Sequence, residues 1–181
     1  DFYLALHSNA STDGSREGTV RGVIAFYYPG SANGRRAADI FVKNLKEIYP
    51  LPQLVTARAT TALGEVRQPK MPSVLLEIGY HDNTADARWI EENVQNIAEN
   101  LSRSLTEYFA LPFLYPTTPR TGTVITEESA LNVRSYPSMS GQVVGSVPRE
   151  AQLTVYGQYD GWYSMAYGGL AGYVRSDYVR V

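Results

Sequence analysis

The chain has 181 residues, 44% of them hydrophobic, and a net charge of -2, which suits a soluble globular protein of one large or two modest domains. That charge balance leaves no cationic surplus for phosphate or an anionic membrane, and no apolar run reaches bilayer length, so neither nucleic acid nor a membrane span is expected. Cysteine is absent, which excludes disulfides and thiolate metal sites.

Asp1 opens inside a strand-like run with no basic leader or cleavage site, and reads as a cut end of a longer chain. The run itself, "FYLALHSNA" over residues 2 to 10, passes from apolar residues directly into His7, Ser8 and Asn9. A histidine at the end of a buried strand is either a metal ligand or general base, or a core residue with both ring nitrogens satisfied. "RGVIAFYYP", residues 21 to 29, is a further strand candidate. Residues 35 to 49 then set Ala38, Phe41, Val42, Leu45, Ile48 and Tyr49 on one helical stripe that Pro50 ends. "PSVLLEIGY", residues 72 to 80, is near-continuously apolar, the pattern of a parallel strand covered on both faces. A longer helix follows, with Ile90, Val94, Ile97, Ala98, Leu101, Leu105, Tyr108 and Phe109 in step. Asn83 or Thr84 caps it, and Asp86 suits its positive start. This alternation predicts an α/β fold, a mostly parallel sheet flanked by helices.

Composition changes near residue 112. "LPFLYPTTPRTG", residues 111 to 122, holds three prolines and reads as a stiff connection. The expected organisation is a first domain over 1–112, a linker over 113–122 and a second domain over 123–181. The last segment reads as five or six short strands with glycine turns, a small all-β barrel.

One residue in the third apolar run is costly. Glu77 sits among Val74, Leu75, Leu76, Ile78 and Tyr80, and desolvating an unpaired carboxylate costs several kcal/mol unless its pKa rises or a cation joins it. Either outcome makes it useful, as a proton shuttle or as a base beside a metal. The structural alternatives are an exposed strand end or pairing with an arginine such as Arg67. In open α/β sheets, sites gather at the carboxyl ends of strands, where both His7 and Glu77 fall. His81 stands four residues after Glu77, but on a continuing strand the two are about 13 Å apart. It is therefore read as a loop or helix-start residue.

"LALHSNAS" and "MPSVLLEIGYHDN", in that order and followed by "DARWIEENVQNIAENLSRSL", resemble the zinc-dependent N-acetylmuramoyl-L-alanine amidases of bacterial cell walls, the type 3 amidase family. The resemblance covers residues 1 to about 112, the carboxyl-terminal portion of the catalytic domain. It implies zinc as cofactor, His7 as a metal ligand and Glu77 as the catalytic base that activates water. The substrate it implies is the amide between N-acetylmuramic acid and L-alanine. Arg67 then meets a stem-peptide carboxylate or supports a strand, and Asn9 holds the loop after His7 or meets substrate. The family's other two zinc ligands belong upstream of "LHSNA", so the remaining ligands are expected before Asp1.

Residues 123 to 181 resemble a bacterial SH3-like (SH3b) domain, through "LNVRS.PS", "GW" and "GYV". This implies a targeting module for peptidoglycan and an extracellular, cell-wall location. Tyr136, Tyr159, Trp162 and Tyr173 are candidates to line its groove; the alternative puts Trp162 and Tyr173 in the barrel core. The competing functional reading is a noncatalytic wall-binding or peptide-binding protein.

Overall fold

The computed structural model describes residues 1–114 and 117–181, which divide into two units, Asp1–Ala110 and Leu111–Val181. In the first, β1 (Tyr3–Asn9), β2 (Val23–Tyr27), β3 (Val55–Ala59) and β4 (Ser73–Tyr80) form one sheet in the order β1-β4-β2-β3. Two of the pairings, β1 with β4 and β2 with β3, are parallel; β2 and β4 run antiparallel. The interior position of β4 explains its apolar run, with Val74, Leu75 and Leu76 all buried. The β1 run lies instead at the sheet edge; Ala5 is buried against Val66 and Leu75, while Leu6, on the opposite face, is exposed. β3, "VTARA", escapes a periodicity reading because half of it is exposed at the other edge.

The helices gather on one face. Ser31 caps α1 (Ala32–Leu45), its side chain accepting from the Gly34 amide. α3 (Thr84–Glu92) starts at Asn83, whose side chain accepts from the Ala85 and Asp86 amides. The single long helix expected after β4 is two helices, because Asn93 leaves helical geometry and donates its side-chain amide to the Trp89 carbonyl at 2.9 Å. A side chain that competes for backbone groups in this way interrupts a helix, and α4 (Val94–Tyr108) restarts beyond it. Phe41 and Leu45 of α1, Trp89 of α3, and Ile97, Leu101 and Tyr108 of α4 pack with Val23, Val55, Val74 and Leu76 of the sheet. The other face carries only the single turn α2 (Gly64–Arg67), over a small cluster of Ala5, Val66 and Leu75 with Phe26 and Leu63.

Asp86, expected in the first turn of the helix, stands there and is fully buried. Its Oδ1 accepts from Arg21 Nε at 2.8 Å and the Tyr49 hydroxyl at 2.6 Å, and its Oδ2 from the Gly22 and Tyr80 amides at 3.1 Å each. One carboxylate thus ties α3 to the entry of β2 and the exit of β4. Burial and this hydrogen bond to Asp86 push the Tyr49 hydroxyl far above its usual pKa.

In the second unit, β5 (Arg120–Val124), β6 (Leu131–Arg134), β7 (Val143–Val147), β8 (Gln152–Tyr159), β9 (Trp162–Tyr167), β10 (Leu170–Arg175) and β11 (Val179–Arg180) pair antiparallel in the order β11-β5-β8-β9-β10-β6-β7. Alternate residues Leu131 and Val133, Leu153 and Val155, and Val174 supply its core. The strand count exceeds the five or six read from sequence. β5 arises within the proline-rich stretch read as linker, of which residues 115 and 116 lie outside the described residues. Among the described residues no helix is long and apolar enough to cross a membrane.

Candidate active site

Parallel pairing sets His7 of β1 directly beside Glu77 of β4. Register partners on adjacent strands share a face, and two residues earlier Ala5 and Leu75 bury together on the α2 face. His7 and Glu77 therefore stand on that same face, one step nearer the carboxyl end of the strands. Glu77 Oε2 is enclosed and has no hydrogen-bond partner among the described residues. Desolvation raises its pKa above the usual carboxylate value, His7 and His81 oppose the rise, and Glu65 adds to it.

Glu65 was not singled out by sequence reading, since a one-turn helix leaves no periodicity to read. Its Oε2 lies 3.1 Å from His7 Nε2, and these two side chains are 42% and 43% exposed. Its other oxygen accepts from the Tyr3 hydroxyl at 3.2 Å. Arg67, the alternative partner for Glu77, is exposed and donates through Nη1 to the Thr61 carbonyl at 3.4 Å, so it secures its own loop. Asn9 accepts from the Ala10 amide through Oδ1 at 2.8 Å, while its carbonyl takes the His81 amide at 2.9 Å.

β4 ends in a turn because Gly79 has a φ of +73°, a conformation that strains residues with a Cβ. The turn brings His81 Nδ1 to 3.0 Å from the Ser8 hydroxyl oxygen and 3.2 Å from the Ser8 carbonyl. Next to it, Asp82 Oδ2 collects the Ser11 and Thr12 amides at 2.8 Å each and both of their hydroxyls at 3.0 Å each. Burial pushes this carboxyl upward, but the hydrogen bonds from Ser11 and Thr12 outweigh it and hold it below the ordinary range. Gly18 closes the loop, its amide donating to the Asp82 carbonyl at 2.7 Å. A Cβ on Gly18 would stand 2.5 Å from both Asp82 Oδ2 and Ser11 Oγ.

Among the described residues no three His, Asp or Glu side chains form a group able to hold a metal ion. The donor chemistry present nevertheless fits a divalent cation in part: an imidazole nitrogen, a carboxylate oxygen 3.1 Å from it, and an unpartnered oxygen of Glu77 alongside.

In the second unit Trp162 is only 4% exposed, with the Arg175 guanidinium 5.6 Å from its ring centre. Its edge borders a groove lined by Glu127, Asn132, Met139, Arg175 and Tyr178. Tyr136 and Tyr159 are exposed but do not line that groove. Tyr173 is half-buried, and burial raises the pKa of its hydroxyl. The aromatic residues singled out from sequence thus divide between core and separate surface positions.

Comparison with known proteins agrees with this division of the chain. The family model for N-acetylmuramoyl-L-alanine amidase matches residues 1–107, and that for the bacterial SH3 domain matches residues 129–180. No match was found among curated protein sequences. Among solved structures, the N-acetylmuramoyl-L-alanine amidase AmiC2 of Nostoc punctiforme is 22% identical with a TM-score of 0.50, the match covering 60% of this chain and 58% of that one. An N-acetylmuramoyl-L-alanine amidase from Clostridium difficile 630 is 18% identical with a TM-score of 0.52, over 61% and 58% of the two chains. The CwlD amidase from Clostridioides difficile is also 18% identical, with a TM-score of 0.53 over 60% and 54%. The chain spans less than two thirds of each of these structures, and the likeness is one of fold. With more than half of its length matched by the family model, the chain belongs to the N-acetylmuramoyl-L-alanine amidase family.

Proposed function

We propose that this chain serves peptidoglycan hydrolysis at the bacterial cell wall, outside the membrane, by cleaving the amide that joins N-acetylmuramic acid to L-alanine. The observation that carries the reading is Glu77: a carboxylate of raised pKa with one enclosed, unpartnered oxygen, one strand away from His7. A group tuned upward from the usual carboxylate range both takes and returns a proton efficiently near neutral pH. Glu77 removes a proton from the attacking water, holds it on a carboxylate oxygen, and returns it to the L-alanine nitrogen as the carbon–nitrogen bond breaks. His7 is the residue that would hold zinc; when bound, zinc lowers the pKa of water and polarises the lactyl carbonyl. The single turn of α2 leaves His7 partly exposed, so a wall polymer has access from that face.

The exposed Arg67 guanidinium offers a partner for a stem-peptide carboxylate. Asn9, through its contacts with Ala10 and His81, keeps the strand exit shaped around His7. The SH3-like unit supplies wall affinity, with exposed Tyr136 and Tyr159 as flat contact surfaces for sugar or peptide and Trp162, the buried register partner of Tyr159, bordering the groove beside Arg175.

The test is digestion of purified peptidoglycan by the zinc-supplemented protein, with mass spectrometry for stem peptides that newly begin with L-alanine. Release by the wild type and its loss in Glu77→Gln support the assignment. Sedimentation with the wall without any release, identical in both proteins, would establish a noncatalytic wall binder instead.

A further inference from the structure

We propose that the cleft between residues 10–17 and α3 receives the stem peptide, Arg16 and Arg88 meeting a carboxylate of it and Glu91 the ammonium of a diamino-acid side chain. The inference rests on the amidase reading given above and adds to it the part of the substrate beyond the cleaved bond. The cleft has a volume of about 830 Å³, within the range of small-ligand sites. It opens where β1 and β4 end: Ala10, the next residue after β1, and His81, the next after β4, both line it. His81 is also near enough to Glu77 to oppose the rise in its pKa, so the cleft adjoins the group that moves protons.

The walls are fixed to each other. The Gly18 amide donates to the Asp82 carbonyl and Asn83 Nδ2 to the Gly18 carbonyl, at 2.7 Å each, while Asp82 Oδ2 holds Ser11 and Thr12. A cleft built this way loses little freedom when it fills. The charges along it divide into those already used and those left over. Asp82 is taken up by the Ser11 and Thr12 donors, Asp13 Oδ1 by the Ser15 amide and hydroxyl at 3.0 and 2.6 Å, and Glu17 Oε1 by the Thr84 amide at 3.4 Å. Arg16, Arg88 and Glu91 are exposed, and their side chains have no hydrogen bond or ion pair among the described residues. Arg88 and Glu91 stand three positions apart on α3, a spacing that permits a pair, yet they form none. Unpaired guanidiniums from separate segments, with a free carboxylate in the same cleft, suit a ligand that carries both signs of charge. A stem peptide does so. It has more than one carboxylate, so Arg67 and this cleft do not compete, and a diamino acid in it adds an ammonium.

The experiment is calorimetric titration of the full chain, in a Glu77→Gln background that prevents cleavage, with N-acetyl-L-alanyl-γ-D-glutamyl-L-lysine. Arg16→Gln, Arg88→Gln and Glu91→Gln should each weaken binding by about fivefold or more, with circular dichroism unchanged, whereas Arg35→Gln on α1 should stay within about twofold. Amidating the carboxyl groups of the peptide should weaken binding to the unsubstituted cleft and cost little further in the arginine variants; acetylating its lysine should do the same with respect to Glu91→Gln. Equal affinity in all three cleft variants, or no binding to the unsubstituted cleft, would overturn the subsite. Stem-peptide release by the wild type in the digestion assay would then leave the amidase reading standing, and failure of that release with the calorimetric pattern intact would remove the amidase reading and not the peptide site.

Discussion

Replacing Asp86 by alanine removes the acceptor for four donors at once: Arg21 Nε, the Tyr49 hydroxyl and the Gly22 and Tyr80 amides. The carboxylate is fully buried while Arg21 retains 26% side-chain exposure, so part of the orphaned positive charge can recover water. Four hydrogen bonds to a carboxylate at about 1.5–3 kcal/mol each set an upper figure of about 6–12 kcal/mol. Rehydration of Arg21 and of the freed amides and hydroxyl brings the expectation to about 3–5 kcal/mol, the usual cost of removing one partner from a buried ion pair. For a unit of this size that corresponds to a melting point lower by about 12 °C or more. Asp86→Asn should recover little, because each oxygen faces two donors and an amide NH2 in either place meets two of them. Trp89 lies in this unit and Trp162 in the other, so urea unfolding followed by fluorescence in a Trp162→Phe background reports the first unit alone. A loss below about 1 kcal/mol for Asp86→Ala would refute the assignment of Asp86 as the tie between α3 and the strand ends.

Glu77→Gln should lower amidase turnover by about 10²–10⁴-fold, the usual contribution of a positioned acid–base group. It should also stabilise the fold at neutral pH: a raised folded pKa means that ionisation costs stability as pH rises through the ordinary carboxylate value, so the advantage of the variant vanishes below about pH 4. Asp82 has the opposite sign, its clamp on Ser11 and Thr12 being present above the ordinary aspartate value and lost only as pH falls through its lowered folded pKa; exchange of the Ser11 and Thr12 amides should accelerate only in stronger acid, and at all pH values in Asp82→Ala. Gly18→Ala should release the same loop at neutral pH, visible as faster exchange at Ser11 and Thr12 without loss of the helical circular dichroism signal.

How much of this was legible in the sequence differs by element. β4 reads clearly because both of its faces are buried, and α1 because one stripe of it is. β1 reads as equally buried although it is an edge strand, since Leu4 and Leu6 look alike in sequence while the core packed on their face reaches Leu4 and not Leu6. The antiparallel step between β2 and β4 is invisible for the same reason: side-chain patterning carries no strand direction. His7 is accessible as a polar exception at the end of an apolar run, and Glu77 as one inside a run. Glu65 is not, because an acidic residue in a single helical turn is ordinary until tertiary contacts set it 3.1 Å from an imidazole. Asp86 was noticed, but as a dipole partner, since the buried Arg21 and Tyr49 contacts join residues 65 and 37 positions apart in sequence.

Three carboxylates in one short stretch, Glu77, Asp82 and Asp86, show how donor supply sorts structure from chemistry. Asp86 loses all its solvent yet receives four donors, so its charge is spent on holding elements together. Asp82 gathers four donors on Oδ2 alone, and its pKa falls even though its other oxygen has no partner among the described residues. Glu77 is partly buried with an oxygen that no donor among the described residues reaches, and its pKa rises. A fold that could bring four donors to each of two carboxylates, within a few residues of the third, had donors to hand. A carboxylate left wanting in that setting is held ready for a proton or a cation from outside the fold, which is the condition a catalytic base must meet.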